Sequence, residues 1–512
     1  MSARQEWLQF QVRRARGFLG QFRKSKRGIM GIGILVFYTA FGLGAPLLTP
    51  YDPIHTQYLA GNFAAPTWWS FLPGGQILSQ NYQLVPTTGF ASPTDFQTQG
   101  WVSTSTPGTN VLVQYNSSDN GPRSSGAGVG LPPGSEQISY SRKAGTPPPP
   151  TPGAFVTVSK TFNWPYGGPP YRFTGYLIAI VNNMQGVNSL VLSTFITNGE
   201  LEIPLSNNTI TSNSVGIPVV PNLDSNDPTM KELFGGIQTV APAFVVFAGA
   251  GAYSFGFRIL IPDQALANNV NVNISFDGLN LKTLGTSWGP LGTDESGRDI
   301  FSQLAWGTRI SLLVGLLASF LGIVIGLIVG LVAGYVGKVV DEILMRFTDM
   351  ILVLPGLPLL IVLAALLGAS IWNIIILLGF LGWPGFARVI RAQVLTVKER
   401  SFIEASKATG SGTGHIITRH IFPNVLGLTY VSLALAVPTA IVTEAALAFL
   451  GLRDPSVISW GAMLQAVQSN AGITLWWWVL PPGLSIALLS LSFVLLGYAL
   501  DDLLNPRLRM RR

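Results

Sequence analysis

The 512-residue sequence contains no cysteine, which excludes disulfide bonds and thiolate chemistry. Charge is also scarce, because only 11% of the residues are Asp, Glu, Lys or Arg, whereas soluble domains carry about 25%. So few charges cannot cover a soluble surface of this size. The composition therefore excludes a disordered or nucleic-acid-coating chain and predicts a membrane protein.

The sequence also contains no G-x-x-x-x-G-K-[ST] loop, so we expect the chain neither to bind ATP itself nor to act as an enzyme. Only three histidines occur: His55, His415 and His420. The last two are five residues apart, which does not align them on one face of an α-helix, and no carboxylate completes a metal-ligand set. We interpret them as polar loop residues, and we expect no catalytic residue, cofactor or metal ion in this chain.

What the sequence does contain is apolar runs long enough to cross a membrane, which takes about 20 residues. Eight Lys or Arg residues precede residue 28, and six more lie within 388–419. Because basic loops stay in the cytoplasm, an even number of spans predicts that both termini are cytoplasmic. The six predicted transmembrane helices are residues 28–48, 310–334, 351–369, 371–390, 425–450 and 479–500.

Residues 55–284 have a different composition, rich in Asn, Ser, Thr, Gly and Pro. Short β-branched runs predict a β-rich, sandwich-like extracytoplasmic insert between the first and second spans. Runs 171–181 and 189–196 flank a turn-forming pentapeptide and predict a hairpin. The proline-rich run 146–152 predicts a stiff connection between two sub-lobes.

Two features of this insert allow alternatives. The uncharged run 240–257 is either a seventh span or one or two buried strands, and we favour strands because a seventh span would place the basic ends on opposite sides of the membrane. Four tryptophans either form a sugar-stacking face or belong to the core; they are Trp68, Trp69, Trp101 and Trp164.

Residues 398–424, between the fourth and fifth spans, predict two short helices. Ser401 and Glu404 fit a capping box, and Gly410 is placed to end the first helix. Pro423 is expected to break the chain just before the next span. A compact helix at this position would suit a membrane protein on which a soluble partner exerts a mechanical force.

Several motifs carry a family resemblance. Glu404-Ala405-Ser406, followed by Gly410 and Phe422-Pro423, resembles the EAA loop of ABC importer permeases, although Ser406, His420 and Phe422 depart from the usual pattern. Four further segments resemble the C-type subunit of dipeptide and oligopeptide permeases: 291–299 (LGTDESGRD), 307–311 (GTRIS), 459–464 (SWGAML) and 505–509 (NPRLR). The resemblance covers residues 1–54 and about 285–512, so the insert has no counterpart in it.

The resemblance implies a mainly α-helical permease of six transmembrane helices in the plasma membrane of a prokaryote. Its implied partners are a homologous second permease, two cytoplasmic ATPases that hold ATP and Mg, an extracytoplasmic solute-binding protein, and membrane lipid. The residues implied to couple the chain to an ATPase are Glu404, Ala405, Gly410, Phe422 and Pro423. Asp294, Arg298 and Asp299 would shape an extracytoplasmic gate region.

Three questions stay open at the level of sequence. The resemblance favours di- or oligopeptides as cargo, with di- or oligosaccharides as the alternative; a membrane-anchored receptor or adhesin would leave the EAA-like loop unexplained. Glu444, inside the fifth predicted span, is either a weak candidate for the substrate pathway or a paired or capping residue. The insert is either a docking platform for a partner or a spacer suited to the cell envelope.

Overall fold

The computed structural model of the chain describes residues 22, 24–117, 134–199, 201–236, 241–368, 370–470 and 472–504. Contacts divide the chain into two compact units. The helical unit comprises Met1–Thr56 and Asp299–Arg512, and the β unit comprises Gln57–Arg298. The motif predicted at 505–509 and most of the basic N-terminal segment lie outside the described residues.

The β unit consists of two antiparallel sheets. The strands are β1 Tyr82–Thr88, β2 Trp101–Ser105, β3 Val111–Asn116, β4 Ser135–Arg142, β5 Ala154–Trp164, β6 Arg172–Gln185, β7 Ser189–Asn198, β8 Leu201–Thr211, β9 Pro218–Val219, β10 Leu223–Asp224, β11 Gly251–Ile261 and β12 Val270–Leu284. One sheet has the strand order β10-β6-β12-β4-β3, with β1 paired to β12 and β9 paired to β6, and the other has the order β2-β5-β11-β7-β8.

A single hydrophobic core takes side chains from both sheets, so the unit is a sandwich. Phe257 on β11 and Phe276 on β12, for example, place their ring centroids 4.9 Å apart. The β-rich prediction is therefore confirmed, but the two sub-lobes are wrong. The proline-rich run joins β4 to β5, one strand of each sheet, across this shared core.

The predicted hairpin over 171–196 is also wrong. Its two strands are β6 and β7, which lie in different sheets, because the chain crosses between the sheets near Gly186, whose φ is +83°. The hairpin forms instead between β7 and β8, where Asn198 pairs with Leu201. Gly199, which follows Asn198 with a φ of +62°, is the sequence signal for that turn.

The uncharged run 240–257 contains a short helix, Pro242–Val246, followed by β11, which pairs with β5 on one side and β7 on the other. The seventh span is therefore wrong, and the first half of the run is not a strand. Pro242 stands in the first helical turn, where its missing N–H is tolerated. Trp101 and Trp164 are buried in the core while Trp68 is exposed, so the core alternative holds for the first two and the four tryptophans do not share one exposed face.

One carboxyl group in the β unit is buried and forms no ion pair within the described residues. Glu136 on β4 is 2% exposed, and burial, with the nearby charges of Asp95 and Asp277, raises its pKa from 4.5 to about 7. Because the folded state holds this proton more tightly, stability falls as pH rises from about 4.5 and is lowest above pH 7, by roughly 3 kcal/mol.

Glu136→Gln is therefore expected to slow hydrogen exchange of the β4 amides at pH 8, after correction for the intrinsic exchange rate. At pH 5 the substitution is expected to change this exchange rate little. Equal effects of Glu136→Gln at both pH values would contradict the assignment. Glu202→Gln serves as the control, because Glu202 lies at the surface of the same unit in an ion pair with Arg258.

In the described part of the helical unit, α1 (Lys26–Leu43) and α2 (Ala45–Leu48) precede the β unit in sequence, and further helices follow it. Its remaining α-helices are α3 Ile300–Val336, α4 Lys338–Val353, α5 Gly356–Leu367, α6 Ile371–Lys398, α7 Ser401–Ala408, α8 Thr413–Ile416, α9 Phe422–Phe449, α10 Trp460–Ser469 and α11 Trp476–Leu504. Within the described residues, five helices are long and apolar enough to cross a membrane, or six spans if the bent pair α4–α5 counts as one.

The third predicted span, 351–369, is wrong as a single helix. Helices α4 and α5 meet at an angle of 87°. Leu354 adopts an extended conformation, as expected for a residue that precedes a proline, and Pro355 caps α5. The apolar run thus continues through a break that hydropathy does not register.

Helices α3 and α6 pack closely through a row of glycines on α3. A Cβ atom on Gly326 would lie 2.8 Å from the carbonyl oxygen of Trp383, and one on Gly330 would lie 2.7 Å from that of Ala387. Small residues four apart allow membrane helices to approach in this way. The contact fixes the end of α6, from which the EAA-like segment follows.

Candidate functional site

The EAA segment, defined as residues 398–424, starts with helix α7. Arg400 is the N-cap and no side chain caps the helix, so the predicted capping box of Ser401 and Glu404 is wrong: Ser401 already lies in the first turn. The helix ends at Ala408, and the predicted stop, Gly410, follows the C-cap Thr409 with a φ of +81°. The N–H of Gly410 donates to the carbonyl of Lys407 at 2.9 Å, and that of Ser411 to the carbonyl of Ser406 at 3.2 Å.

The second half of the segment runs without a break into the next long helix. Helix α8 leads into a π turn at Ile417–Ile421 and then into α9. The predicted break at Pro423 is therefore wrong. The wide turn lies directly before Pro423, whose ring would clash with the carbonyl four residues earlier in an undistorted α-helix.

The same turn corrects the interpretation of two histidines. His415 and His420 lie in this helical stretch rather than in a loop, and their ring centroids are 5.9 Å apart. Residues five apart fall on one face when the turn has i→i+5 hydrogen bonds. Within the described residues, no group of three or more His, Cys, Asp or Glu side chains could hold a metal ion.

Buried isoleucines anchor the EAA segment to the ends of the membrane helices. Ile403, Ile416 and Ile421 are fully or almost fully buried and share a hydrophobic cluster with Tyr335 of α3 and Val394 of α6. Glu404 and Ala405 are exposed. The segment therefore presents an exposed surface on a base that is packed against α3, α6 and α9.

Cations surround this base. The ammonium groups of Lys398 and Lys407 lie 5.8 and 5.9 Å from the ring of Tyr335, and Lys398 donates to the Tyr335 carbonyl at 2.9 Å. Arg391 of α6 forms two hydrogen bonds to Asp341 of α4, at 2.5 and 2.6 Å. Bidentate pairs of this kind fix geometry as well as charge, so α4 and α6 are linked beside the EAA segment.

The predicted gate residues separate into two groups. Asp294 and Arg298 form an ion pair within the β unit, with 2.7 Å between Arg298 Nε and Asp294 Oδ2. Arg298 also donates to Glu295 at 2.7 Å. Burial, reinforced by the adjacent Asp294 carboxylate, raises the pKa of Glu295. Asp299 instead caps α3 in the helical unit, accepting the Ser302 N–H at 2.8 Å.

Glu444 lies on α9 and is buried. Its Oε1 accepts a hydrogen bond of 2.7 Å from Ser459, whose hydroxyl also accepts the N–H of Ala462 and caps α10. Beside it, a Cβ on Gly461 would lie 2.6 Å from Cα of Ala445. Glu444 thus joins α9 to the start of α10.

Comparison with known proteins finds matches in two separate regions of the chain. The family model of the binding-protein-dependent transport system inner membrane component matches residues 287–510, and that of the N-terminal TM domain of oligopeptide transport permease C matches residues 14–66. The dipeptide transport system permease protein DppC of Escherichia coli K12 is 46% identical over 220 residues, which are 43% of this chain and 73% of the relative. The Bacillus subtilis protein of the same name is 37% identical over 266 residues, 52% of this chain and 82% of the relative.

This chain belongs to the family of binding-protein-dependent transport permeases. It is a permease subunit of an ABC importer and a multi-pass protein of the plasma membrane. The relatives are transport subunits rather than enzymes. Residues 67–286 fall between the two matched regions and contain all twelve named strands.

The permease contains a cavity of about 620 Å³ among α3, α5, α6 and α9. Its walls are small or aliphatic residues, and three hydroxyl groups line it: Ser319, Thr439 and Thr443. The Ser319 hydroxyl is buried and has no hydrogen-bond partner within the described part of the chain. Sequence reasoning did not find these residues, because a cavity among four helices depends on how the helices pack.

The pairing of Glu444 with Ser459 leads to a prediction for the permease. Glu444→Gln keeps the acceptor for Ser459, so uptake is expected to stay within about twofold of wild type if Glu444 only joins α9 to α10. Ser459→Ala removes both the donor and the α10 cap and is expected to cost about 1–3 kcal/mol of stability. Uptake and thermal unfolding of the two variants check this; a loss of uptake in Glu444→Gln with unchanged unfolding would instead indicate a role in translocation.

Proposed function

We propose that this chain is the C-type permease of an importer for di- or oligopeptides. The observation that carries the proposal is the 37–46% identity to permeases named for dipeptide transport, together with the family match over residues 287–510, which contain the EAA segment. The chain would form the translocation pathway with a homologous second permease and receive cargo from an extracytoplasmic solute-binding protein. ATP and Mg would be held by two partner ATPases, and this chain would bind no cofactor.

The proposed topology counts the bent pair α4–α5 as one of six spans. An even number places both termini on one side, and the basic residues before residue 28 and within 388–419 favour the cytoplasm for that side. The β unit, inserted after α1, would then be extracytoplasmic. The twelve acidic and nine basic residues of Gln57–Arg298 give no basic excess that would oppose this placement.

Coupling to ATP would pass through the EAA segment. Its exposed surface at Glu404 and Ala405 is available to a partner, and its buried isoleucines share a cluster with α3 and α6. When the ATPases close, a push on this surface would therefore move the helix ends as one body. The hydroxyl-lined cavity would form part of the pathway that alternates between outward- and inward-facing states.

The experiment is reconstitution in proteoliposomes of this chain with its second permease and ATPase pair, with the binding protein outside and ATP inside. We expect ATP-dependent uptake of labelled di- and oligopeptides. Disaccharide uptake at a comparable rate, with none for peptides, would overturn the peptide assignment. No ATP-dependent uptake, together with no co-purifying ATPase, would overturn the importer assignment.

The role of the β unit can be tested by a defined excision. Tyr82 and Thr283 are register partners of the β1–β12 ladder, so a two-residue turn such as Asn-Gly can replace residues 83–282 and close the gap. Contacts of 285–298 with 58–67, such as the donation of Phe63 N–H to the carbonyl of Asp294 at 2.9 Å, remain. If the β unit is a docking platform, affinity for the binding protein is expected to fall at least tenfold; unchanged affinity would favour a spacer.

A further inference from the structure

A second cavity, of about 580 Å³, lies in the helical unit at the start of the apolar part of α3. Its walls are the chain that follows α1, the α3 turn around Arg309, and the loop before α10. Most of the lining is apolar, from prolines 46, 50 and 53 with Ile310, Val457 and Ile458. Such a cavity suits a ligand that is largely hydrocarbon, with one polar group opposite the arginine.

Arg309 has no counter-ion in this cavity. Within the described residues its guanidinium forms no ion pair or hydrogen bond, and its one interaction is with the ring of Trp306, 4.8 Å from the centroid. Arginine cannot lose its proton in a protein. Its five donors match the oxygens of a phosphate or carboxylate, and none is supplied here.

A second unsatisfied donor lies on the same helix turn. The indole N–H of Trp306 is buried and has no hydrogen-bond partner within the described part of the chain. Buried donors without acceptors are rare, because each gives up its hydrogen bond to water without a replacement. Trp306 and Arg309 both line the cavity, so one anionic oxygen group placed there would satisfy the guanidinium and, after a small rotation of the ring, the indole.

The one carboxylate that lines the cavity is already engaged. Asp52 accepts the backbone N–H groups of Ile54 and His55, each at 2.8 Å, and lies 3.1 Å from the imidazole Nδ1 of His55. These bonds lower the pKa of Asp52 and keep it charged. Because its oxygens face its own turn and make no ion pair with Arg309, they leave the guanidinium open to an external anion.

The position of Arg309 along α3 indicates where that anion comes from. Helix α3 has 37 residues, about 55 Å at 1.5 Å per residue, whereas the hydrocarbon core is about 30 Å thick. The uninterrupted apolar run starts at Ile310, directly after the arginine. Arg309 therefore lies at the depth of the lipid headgroups, where Trp and Tyr side chains also concentrate. Tyr51 lines the same cavity.

We propose that this cavity is a phospholipid site, in which Arg309 holds the headgroup phosphate and the apolar walls hold the first part of an acyl chain. The bidentate match between guanidinium and phosphate supplies the specificity. The interaction would fix the chain that follows α1 against α3 and the loop before α10, all of which border the cavity.

The test is native mass spectrometry of the full transporter, delipidated in detergent and then titrated with phosphatidylglycerol. We expect one lipid per copy of this chain to bind at least tenfold more weakly in Arg309→Gln than in wild type. Arg309→Lys should lose less lipid affinity, since lysine keeps the positive charge but lacks the planar guanidinium that binds two oxygens at once. Ser456→Trp, which places a large ring at another wall of the cavity, should weaken binding as well and covers the case in which Arg309→Gln does not fold.

Arg453→Gln is the matched control, because Arg453 lies in the same loop region but is bonded to Gln465 and does not line the cavity. Diacylglycerol, which lacks phosphate, is expected not to bind. Equal affinity for inorganic phosphate would make this a free-anion site and overturn the lipid assignment. The lipid assignment would also be overturned if Arg309→Gln bound lipid as wild type does but lost the second permease from the complex. The counter-ion of Arg309 would then be a carboxylate of that partner.

Discussion

Replacing Gly410 with valine is expected to lower ATP-driven uptake more than tenfold while the protein stays in the membrane. Gly410 ends α7 with a φ of +81°, a conformation that costs a β-branched residue about 1–3 kcal/mol. A valine there would relax by changing the turn between α7 and α8. The positions of Glu404 and the buried Ile416 relative to each other would then change. A force applied to the segment by the ATPase would deform the turn and would not reach the membrane helices.

Two matched variants separate this effect from a general disturbance. Gly410→Asn should retain most uptake, because asparagine tolerates the left-handed conformation. Gly412→Val should also retain it, since Gly412 has a φ of −70° and a Cβ atom at this position would have no neighbouring atom within 4 Å. Uptake and membrane level are measured for all three variants. Normal uptake in Gly410→Val would exclude the turn as a rigid element of coupling.

The EAA segment shows which part of a site a local pattern can predict. The end of α7 was predictable, because a left-handed turn depends on the glycine itself. The start was not, since Arg400 and Ser401 are both acceptable near a helix start and the shift of one residue is decided by where α6 ends. The continuous path through Pro423 was missed because a π turn removes the clash that a proline normally causes.

The β unit shows the same division at a larger scale. Strands β6 and β7 begin within a residue of the predicted runs 171–181 and 189–196, since alternation of side chains is a local property. Pairing is not local: β6 pairs with β12, almost 90 residues later in the chain, and not with its neighbour β7. A turn-forming sequence such as the one between β6 and β7 does not indicate whether the next strand pairs with β6 or crosses to the other sheet.

The second large effect is expected at the contact between α3 and α6. Gly330→Leu should sharply reduce the amount of folded permease, because its Cβ would lie 2.7 Å from both the carbonyl oxygen of Ala387 and Cβ of Ile390. The first of these atoms is backbone and cannot turn away, so α3 and α6 would have to separate. Overpacking of this kind costs about 1–3 kcal/mol, and more where backbone is involved.

A graded series tests this contact against the alternative that any larger residue in a membrane helix is harmful. Gly330→Ala should lower the thermal unfolding temperature of the purified transporter, and Gly330→Leu should lower it further or prevent accumulation in the membrane. Gly385→Leu on α6 is the control, since no atom lies within 4 Å of a Cβ at Gly385. Equal losses of folded permease in Gly330→Leu and Gly385→Leu would mean that the contact between α3 and α6 is not the cause. Because the same contact holds the end of α6, any Gly330→Ala protein that does fold should also show weakened coupling between ATP hydrolysis and uptake.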